Sequence, residues 1–363
     1  MIIFVLILIN IFLKTVYAIG LMSGTSLDGV DLVYVKFTCL DTYSMEVLCY
    51  ETIPYSHLWK KKLHDAFYFN DKKLKELNIL YGSYLSELLN RFIGDNGIEK
   101  LDFIASHGHT IHHKPEKKYT LQIGDGQTIA NKTNQKVICN FRVQDVLLDG
   151  QGAPLVPIGD AFLFSKYDYC LNLGGFANIS FTKNKNRLAY DICPVNIVLN
   201  HYVSKLGLAY DDKGVLARSG KVHNSLLTEL NNLDFYISDN PKSLGYEFVT
   251  NVVFPIINSY NLKIADVLHT FVEHISIQIA NKINPNTTVL VSGGGVFNSY
   301  LMERITDNCK ATICIPNPTI IDYKEAIIFA FLGLRKLENK INCLKSVTGA
   351  SKDHCSGFVY RPT

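Results

Sequence analysis

Three times in this chain an apolar, strand-like run ends in a cluster of glycines and small polar residues. These are GLMSGTSLDGVD at 20–31, NLGGFAN at 172–178 and SGGGVFN at 292–298. A chain that repeats this pattern, with helices between the repeats, has few ways to fold. Val16–Met22 and Val30–Phe37 flank the first cluster and predict a hairpin, with a third strand at Met45–Ile53. Helices are expected at about His57–Phe69 and Lys72–Phe92, the second ended by the glycines at 94 and 97. Leu101–Ser106 and Val137–Phe141 read as further strands. A similar order then recurs, with strands at Tyr169–Leu173, Ile179–Thr182 and Arg187–Asp191. An amphipathic helix at Ile264–Ile283 places Ile264, Val267, Leu268, Phe271, Ile275 and Ile279 on one face. Strands at Thr287–Val291 and Ala311–Ile315 and a helix at Tyr323–Arg335 complete the second set. The expectation is an α/β fold of two similar lobes facing each other across a central cleft.

Length and composition agree with two domains. At about 100–200 residues per domain, 363 residues allow two. Hydrophobic residues make up 47% and charged residues 19%, enough for a sizeable core. The net charge of +3 is scattered, so no basic stripe points to nucleic acid. Nine cysteines without a CxxC pair give neither a disulfide framework nor a zinc-ribbon spacing, and reduced cysteines in the cytoplasm are expected. The apolar start, MIIFVLILINIFLK, has the look of a signal-peptide core but lacks a basic leader, and it is short of the ~20 apolar residues of a membrane span. Residues 1–14 are read as a non-essential extension, with a signal or anchor left open.

A turn of Gly, Ser and Thr holds backbone N–H groups outward and can bind anions. One such turn is usually only a turn; three at matching places point to nucleotide phosphates. There is no GxxxxGK[ST] and no GxGxxG, which excludes a P-loop and a dinucleotide fingerprint. Asp28 and Asp31 at the first turn could hold Mg²⁺, or be turn and strand-end acids. Asp191 ends a strand, a position that also suits a cap. Glu325 reads as opening the last helix, where an acid complements the macrodipole. His107, His109, Thr110, His112 and His113 fall within seven residues. They fit hydrogen bonds to a polyhydroxylated ligand or a histidine-rich surface better than zinc, because no HExxH or neighbouring Cys accompanies them.

Taken together, these motifs resemble the anhydro-N-acetylmuramic acid kinase family, from Tyr17 to the last residues. In order they are GLMSGTSLDGVD, SHG-T at 106–110, QIGD at 122–125, FR at 141–142, GQGAPLVP at 150–157, NLGGFAN, PKS-G at 241–245, SGGG-FN, KEAI-FA at 324–330 and SVTGA at 346–350. The resemblance implies the duplicated actin-like, ribonuclease H-like ATPase fold. It implies a cytoplasmic kinase that opens the anhydro ring of 1,6-anhydro-N-acetylmuramic acid with water and phosphorylates O6 from ATP with Mg²⁺, in peptidoglycan recycling. It makes Asp191 the base for the attacking water and Glu325 a second holder of that water. Gly24, Thr25, Ser26, Leu27, Asp28, Gly29, Val30 and Asp31 would hold ATP phosphates, with Asp28 toward Mg²⁺. Gly174, Gly175 and Asn178 would form the second phosphate loop, and Gly293, Gly294 and Gly295 would lie by the adenosine. His107, Thr110 and Arg142 would contact the sugar. The partners implied are therefore ATP and a small amino sugar, with no nucleic acid and no membrane for the mature enzyme; a homodimer is left open. The lobes are expected at 15–140, joined by 345–363, and at 141–344.

The chain departs from the family pattern near the base. DICPVN at 191–196 stands where the family has Asp-Thr-Gly-Pro-Gly-Asn, so Ile192, Cys193 and Val195 replace Thr and two glycines. His109 stands for a Gln and Leu244 for a Thr. Glycine permits positive φ and close approach of a ligand, and a β-branched residue does neither readily. Two alternatives follow: a nucleotide-binding remnant without catalysis, or a kinase for another amino sugar.

Overall fold

β1 (Lys14–Ser23) and β2 (Gly29–Cys39) form the expected hairpin, and β3 (Tyr43–Pro54) extends it antiparallel. The computed structural model describes residues 14–24, 27–39, 42–237 and 243–363. Residues 1–13, Thr25, Ser26, Pro241 and Lys242 therefore lie outside the described residues. Lys14, assigned above to the extension, instead opens β1 and pairs with Cys39.

On the other side of β1 lie β4 (Phe103–Lys114) and β6 (Val137–Cys139), both parallel, and then antiparallel β12 (Phe358–Tyr360). β5 (Tyr119–Ile123) pairs with the far half of β4. The second sheet repeats the plan. β7 (Tyr169–Leu173), β8 (Phe176–Lys183) and β9 (Asn186–Pro194) form an antiparallel meander, and β10 (Thr288–Ser292) and β11 (Thr312–Cys314) add in parallel beside β7. Both sheets thus run third-second-first-fourth-fifth with the second strand reversed, which is the ribonuclease H-like arrangement of actin-like ATPases.

The chain divides into two compact units: residues to Ala153 with Glu325–Lys345 and Ala350–Thr363, and Pro154–Lys324 with Ser346–Gly349. Relative to the boundaries read from sequence, the first unit thus gains 141–153 and 325–344 and gives up Ser346–Gly349. Its core runs from Ile19, Leu21 and Ile104 to the helix Asp71–Asp95, whose Leu74, Leu77, Tyr81, Leu85 and Leu89 recur at helical spacing. Asn70 caps that helix by accepting from Lys73 N–H. The other face of β1 meets the helix Pro318–Leu337 backbone to backbone: a Cβ added at Gly20 would lie 2.0 Å from the Ala326 carbonyl oxygen. No residue larger than glycine fits there.

The second unit is built on the helix Ile264–Ala280, which buries Val267, Leu268, Phe271, Ile275 and Ile279 as expected. It also contains a buried ion cluster. Lys324 Nζ lies 2.8 Å from Asp160 Oδ1, and Ser180 joins Asp160 to Arg187 by hydrogen bonds.

Candidate active site

In the second unit one rung of the sheet collects polar residues. Ser292 on β10 is opposite Asn172 on β7, Asn172 is opposite Asn178 on β8, and Asn178 is opposite Asp191 on β9. Directly opposed residues share a face, so these four side chains form one row. β9 does not end at Asp191, as expected, but runs on to Pro194. A register shift at this point pairs Asp191 with Asn178 and Cys193 with Ala177, leaving Ile192 as the extra residue of a bulge. Asn178 likewise sits inside β8 rather than in the turn before it.

Asp191 is half-buried, and the Leu244 N–H donates to its Oδ2 at 2.8 Å. Burial holds this carboxyl above its ordinary pKa, and the Leu244 bond pulls it part of the way back. A raised carboxyl is a stronger proton acceptor once ionised, which suits a general base. Leu244 acts here through its backbone, so the missing threonine side chain does not remove the donor.

The DICPVN substitutions point inward. Ile192, Cys193 and Val195 are at most 1% exposed and belong to the unit's core. None is among the positive-φ residues, and Val195 has φ −131°. No positive φ here calls for glycine.

Two glycine turns stand at the ends of neighbouring parallel strands. The carbonyls of Gly174 and Gly175 accept from the N–H groups of Val195, Asn196 and Ile197, which anchors the turn to the helix Asn196–Ser204. What that turn presents to solvent is Gly175 and Asn178. After β10, Gly293 has φ +85°, and a Cβ there would lie 2.6 Å from Asn172 Oδ1. Gly294 has nothing within 4 Å of such a Cβ, leaving open space beside it.

In the first unit, the turn at 24–28 begins at Gly24, whose carbonyl accepts from Leu27 N–H, and Leu27 is left-handed at φ +59°. Asp28 is exposed, so its carboxylate is available to a cation such as Mg²⁺. Asp31 lies within β2 and accepts from Thr52 Oγ1 at 2.6 Å. Gly29 and Val30, grouped above with the phosphate turn, are buried strand residues, with Val30 in the unit's core.

Beneath this turn is a buried polar cluster that sequence reasoning missed. Ser23 Oγ is 2.6 Å from the Tyr55 hydroxyl and 3.0 Å from His109 Nδ1, and it accepts from the Tyr81 hydroxyl. Burial lowers the His109 pKa to about 4, so it works as a neutral partner. The His-for-Gln change therefore substitutes one hydrogen-bonding side chain for another.

The residues of this unit expected to contact a sugar are brought together in part. The segment His107–Thr110 does not end a strand but runs through the middle of β4, continuing to pair with β5. His107 Nδ1 lies 2.9 Å from the Gly108 carbonyl, and its Nε2 accepts from Arg142 Nε at 2.9 Å. Burial, then the Arg142 charge, holds His107 well below its ordinary pKa. Arg142 Nη1 donates to the Gly152 carbonyl at 2.7 Å. Thr110 lies opposite Gln122 of the QIGD motif, whose Nε2 is 3.4 Å from Thr110 Oγ1.

Glu325 requires a correction. The helix begins at Pro318, where Asn317 accepts from Ile320 N–H, so Glu325 is an exposed mid-helix residue and not a first-turn acid. It belongs to the first unit and Asp191 to the second.

A family model described as anhydro-N-acetylmuramic acid kinase matches residues 16–362. The chain is 35% identical over 369 residues to the anhydro-N-acetylmuramic acid kinase of Shewanella denitrificans, covering 96% of this chain and 99% of the relative. It is 34% identical over 366 residues to that of Pasteurella multocida, covering 95% and 97%. Among solved structures it is similar, with TM-score 0.45 and 15% identity, to the activator of the 2-hydroxyisocaproyl-CoA dehydratase from Clostridium difficile with bound ADPNP, covering 89% of this chain and 97% of that one. With its motifs in order and both sheets of one plan, this chain belongs to the anhydro-N-acetylmuramic acid kinase family.

Proposed function

We propose that this chain is an ATP-dependent kinase that opens 1,6-anhydro-N-acetylmuramic acid with water and phosphorylates O6. The observation that carries the chemistry is Asp191: a half-buried carboxylate of raised pKa, fixed by a backbone donor in a polar row beside two glycine turns. Asp191 takes a proton from water as the water oxygen bonds to C1 of the sugar. The C1–O6 bond breaks, and O6 bonds to the γ-phosphorus as the bond to the β-phosphate oxygen breaks, releasing ADP. Positioning and charge neutralisation dominate such transfers. The 24–28 turn, the Gly174–Gly175 turn and Gly293–Gly295 would hold the nucleotide, and Mg²⁺ held at Asp28 would offset phosphate charge.

His107, Thr110 and Arg142 would bind the sugar, Arg142 being fixed by His107 and Gly152 before a ligand arrives. Glu325 is kept as a second holder of the water. A reaction that consumes ATP would run in the cytoplasm.

The test is ADP release coupled to a reporter, with ATP and the anhydro sugar, for the unchanged chain and Asp191→Asn. Sugar-dependent ADP release that falls by about 10²–10⁴-fold in the variant supports the reading. No sugar-dependent release from the unchanged chain rejects it, and release with only another amino sugar reassigns the substrate.

A further inference from the structure

Beside the loop that holds Arg142, the first unit buries a carboxylate, a thiol and an imidazole together. Cys343 and His354 exchange both of their backbone hydrogen bonds, each at 3.1 Å, as an isolated antiparallel bridge. Such a pair sends both side chains to one face. Asp145, in the helix Val143–Leu147, meets them there. Its Oδ1 lies 3.0 Å from Cys343 Sγ and 3.5 Å from His354 Nε2, and the three ligand atoms are all within 4.8 Å of one another. Asp145, Cys343 and His354 are at most 5% exposed.

The imidazole carries the argument further. His354 Nδ1 lies 3.1 Å from the Lys352 carbonyl, which makes Nδ1 the protonated nitrogen. In the neutral ring Nε2 is then a bare lone pair, buried with no hydrogen-bond partner and 3.5 Å from Asp145 Oδ1. A lone pair facing a carboxylate oxygen is repelled, and a cation between them removes the repulsion. An imidazole oriented through its other nitrogen by a backbone carbonyl is how metal-bound histidines are held. Zinc bonds of about 2.0–2.3 Å at tetrahedral angles put ligand atoms roughly 3.3–3.6 Å apart, beside 3.0 and 3.5 Å for the two separations from Asp145 Oδ1.

We propose that Asp145, Cys343 and His354 bind one Zn²⁺, with water in the fourth position. A sulfur and a nitrogen ligand exclude Mg²⁺ and Ca²⁺, which take oxygen. On binding, the Cys343 thiol gives its proton to solvent, and the thiolate and the Asp145 carboxylate balance the ion's two charges. Asp145 Oδ2 keeps the Gly152 N–H at 2.7 Å. The ion therefore ties the C-terminal segment to the loop whose Gly152 carbonyl holds Arg142. Zinc binding at this site does not depend on the kinase reading.

The experiment is metal analysis and titration of the full chain, prepared without a histidine tag. The chain is stripped with a chelator, then titrated with Zn²⁺ against a chromophoric competitor and separately with Co²⁺. One tightly held Zn²⁺ per chain and a thiolate-to-cobalt charge-transfer band are expected. Cys343→Ser and His354→Gln each weaken binding by more than about 100-fold, beyond the loss from an outer-shell partner. Cys139→Ser, a buried cysteine of the same unit, leaves it unchanged. A Co²⁺ spectrum of the unmodified chain without that band, or Zn²⁺ bound equally by the Cys343→Ser and His354→Gln variants, overturns the proposal. The first of these needs no variant to fold. A chain that binds zinc but lacks kinase activity sinks only the kinase reading, and an active kinase without zinc sinks only this one.

Discussion

The backbone N–H of Leu244 donates to Asp191 Oδ2 at 2.8 Å, so the bond on the proposed base comes from a group that no substitution at 244 except proline removes. Leu244→Thr should leave the acid limb of the pH–rate profile where it is. Leu244→Pro deletes the donor, and with it the contribution that lowers the Asp191 pKa. The acid limb should then move to higher pH. A limb that stays put in the proline variant, with its fold intact by circular dichroism, contradicts the role given to this bond.

Asp191 makes a second, opposite-looking prediction for stability. Its folded pKa is raised, so the folded state binds more protons than the unfolded state between the two values. The ionised carboxylate therefore weakens the fold above the raised pKa, and the penalty disappears below the unfolded value. Asp191→Asn should be at least as stable as the unchanged chain at neutral pH, with the difference closing in acid, while its kcat falls by about 10²–10⁴-fold. Denaturant midpoints across pH, alongside turnover, check both halves.

His109 should act as an acid-sensitive element of the first unit. Its folded pKa, about 4, lies below its ordinary 6.5. Stability from its neutral form is complete above 6.5 and is lost as pH falls toward 4. His109→Gln keeps a partner for Ser23 and should flatten that loss between urea midpoints at pH 7 and pH 5. His109→Leu leaves the buried Ser23 cluster short of a partner, at about 1–3 kcal/mol. His274 is buried too, with a pKa lowered to about 3, and contributes the same trend to every variant. The difference between variants therefore isolates His109.

Gly293 and Gly294 are adjacent but should respond differently. Gly293→Ala must hold a Cβ at φ +85° and 2.6 Å from Asn172 Oδ1. It should cost about 1–3 kcal/mol for the left-handed backbone alone and weaken ATP binding. Gly294→Ala meets nothing within 4 Å, so its thermal midpoint should barely move. Equal destabilisation by both would mean that the loop is not held as described. Nucleotide titration by calorimetry measures the binding half.

Much of this fold was legible because strands and small-residue turns announce themselves locally. The hairpin at β1–β2 and the strand Tyr169–Leu173 follow from short apolar runs ending in glycine. What failed were stop signals. Gly108, at φ +74°, reads as a strand end, yet β4 passes through it because β5 supplies a partner further on. The last helix starts at Pro318, ahead of the Tyr323 start its apolar pattern suggests, because the Asn317 side chain accepts the Ile320 N–H. The glycine losses in DICPVN looked threatening in sequence, whereas the structure turns Ile192, Cys193 and Val195 into core. The Ser23–Tyr55–Tyr81–His109 and Asp145–Cys343–His354 groups could not be read at all, since only tertiary packing assembles them.

The bulge at Ile192 has a consequence for how this chain can vary. Ordinary alternation would put Asp191 and Cys193 on the same side of the sheet. The extra residue separates them, sending one to the polar row and the other into the hydrophobic interior. Drift at 193 is therefore screened by oil-like packing and not by chemistry at the base. The chain can change identity two residues away from its most demanding carboxylate without altering the surface a substrate would meet.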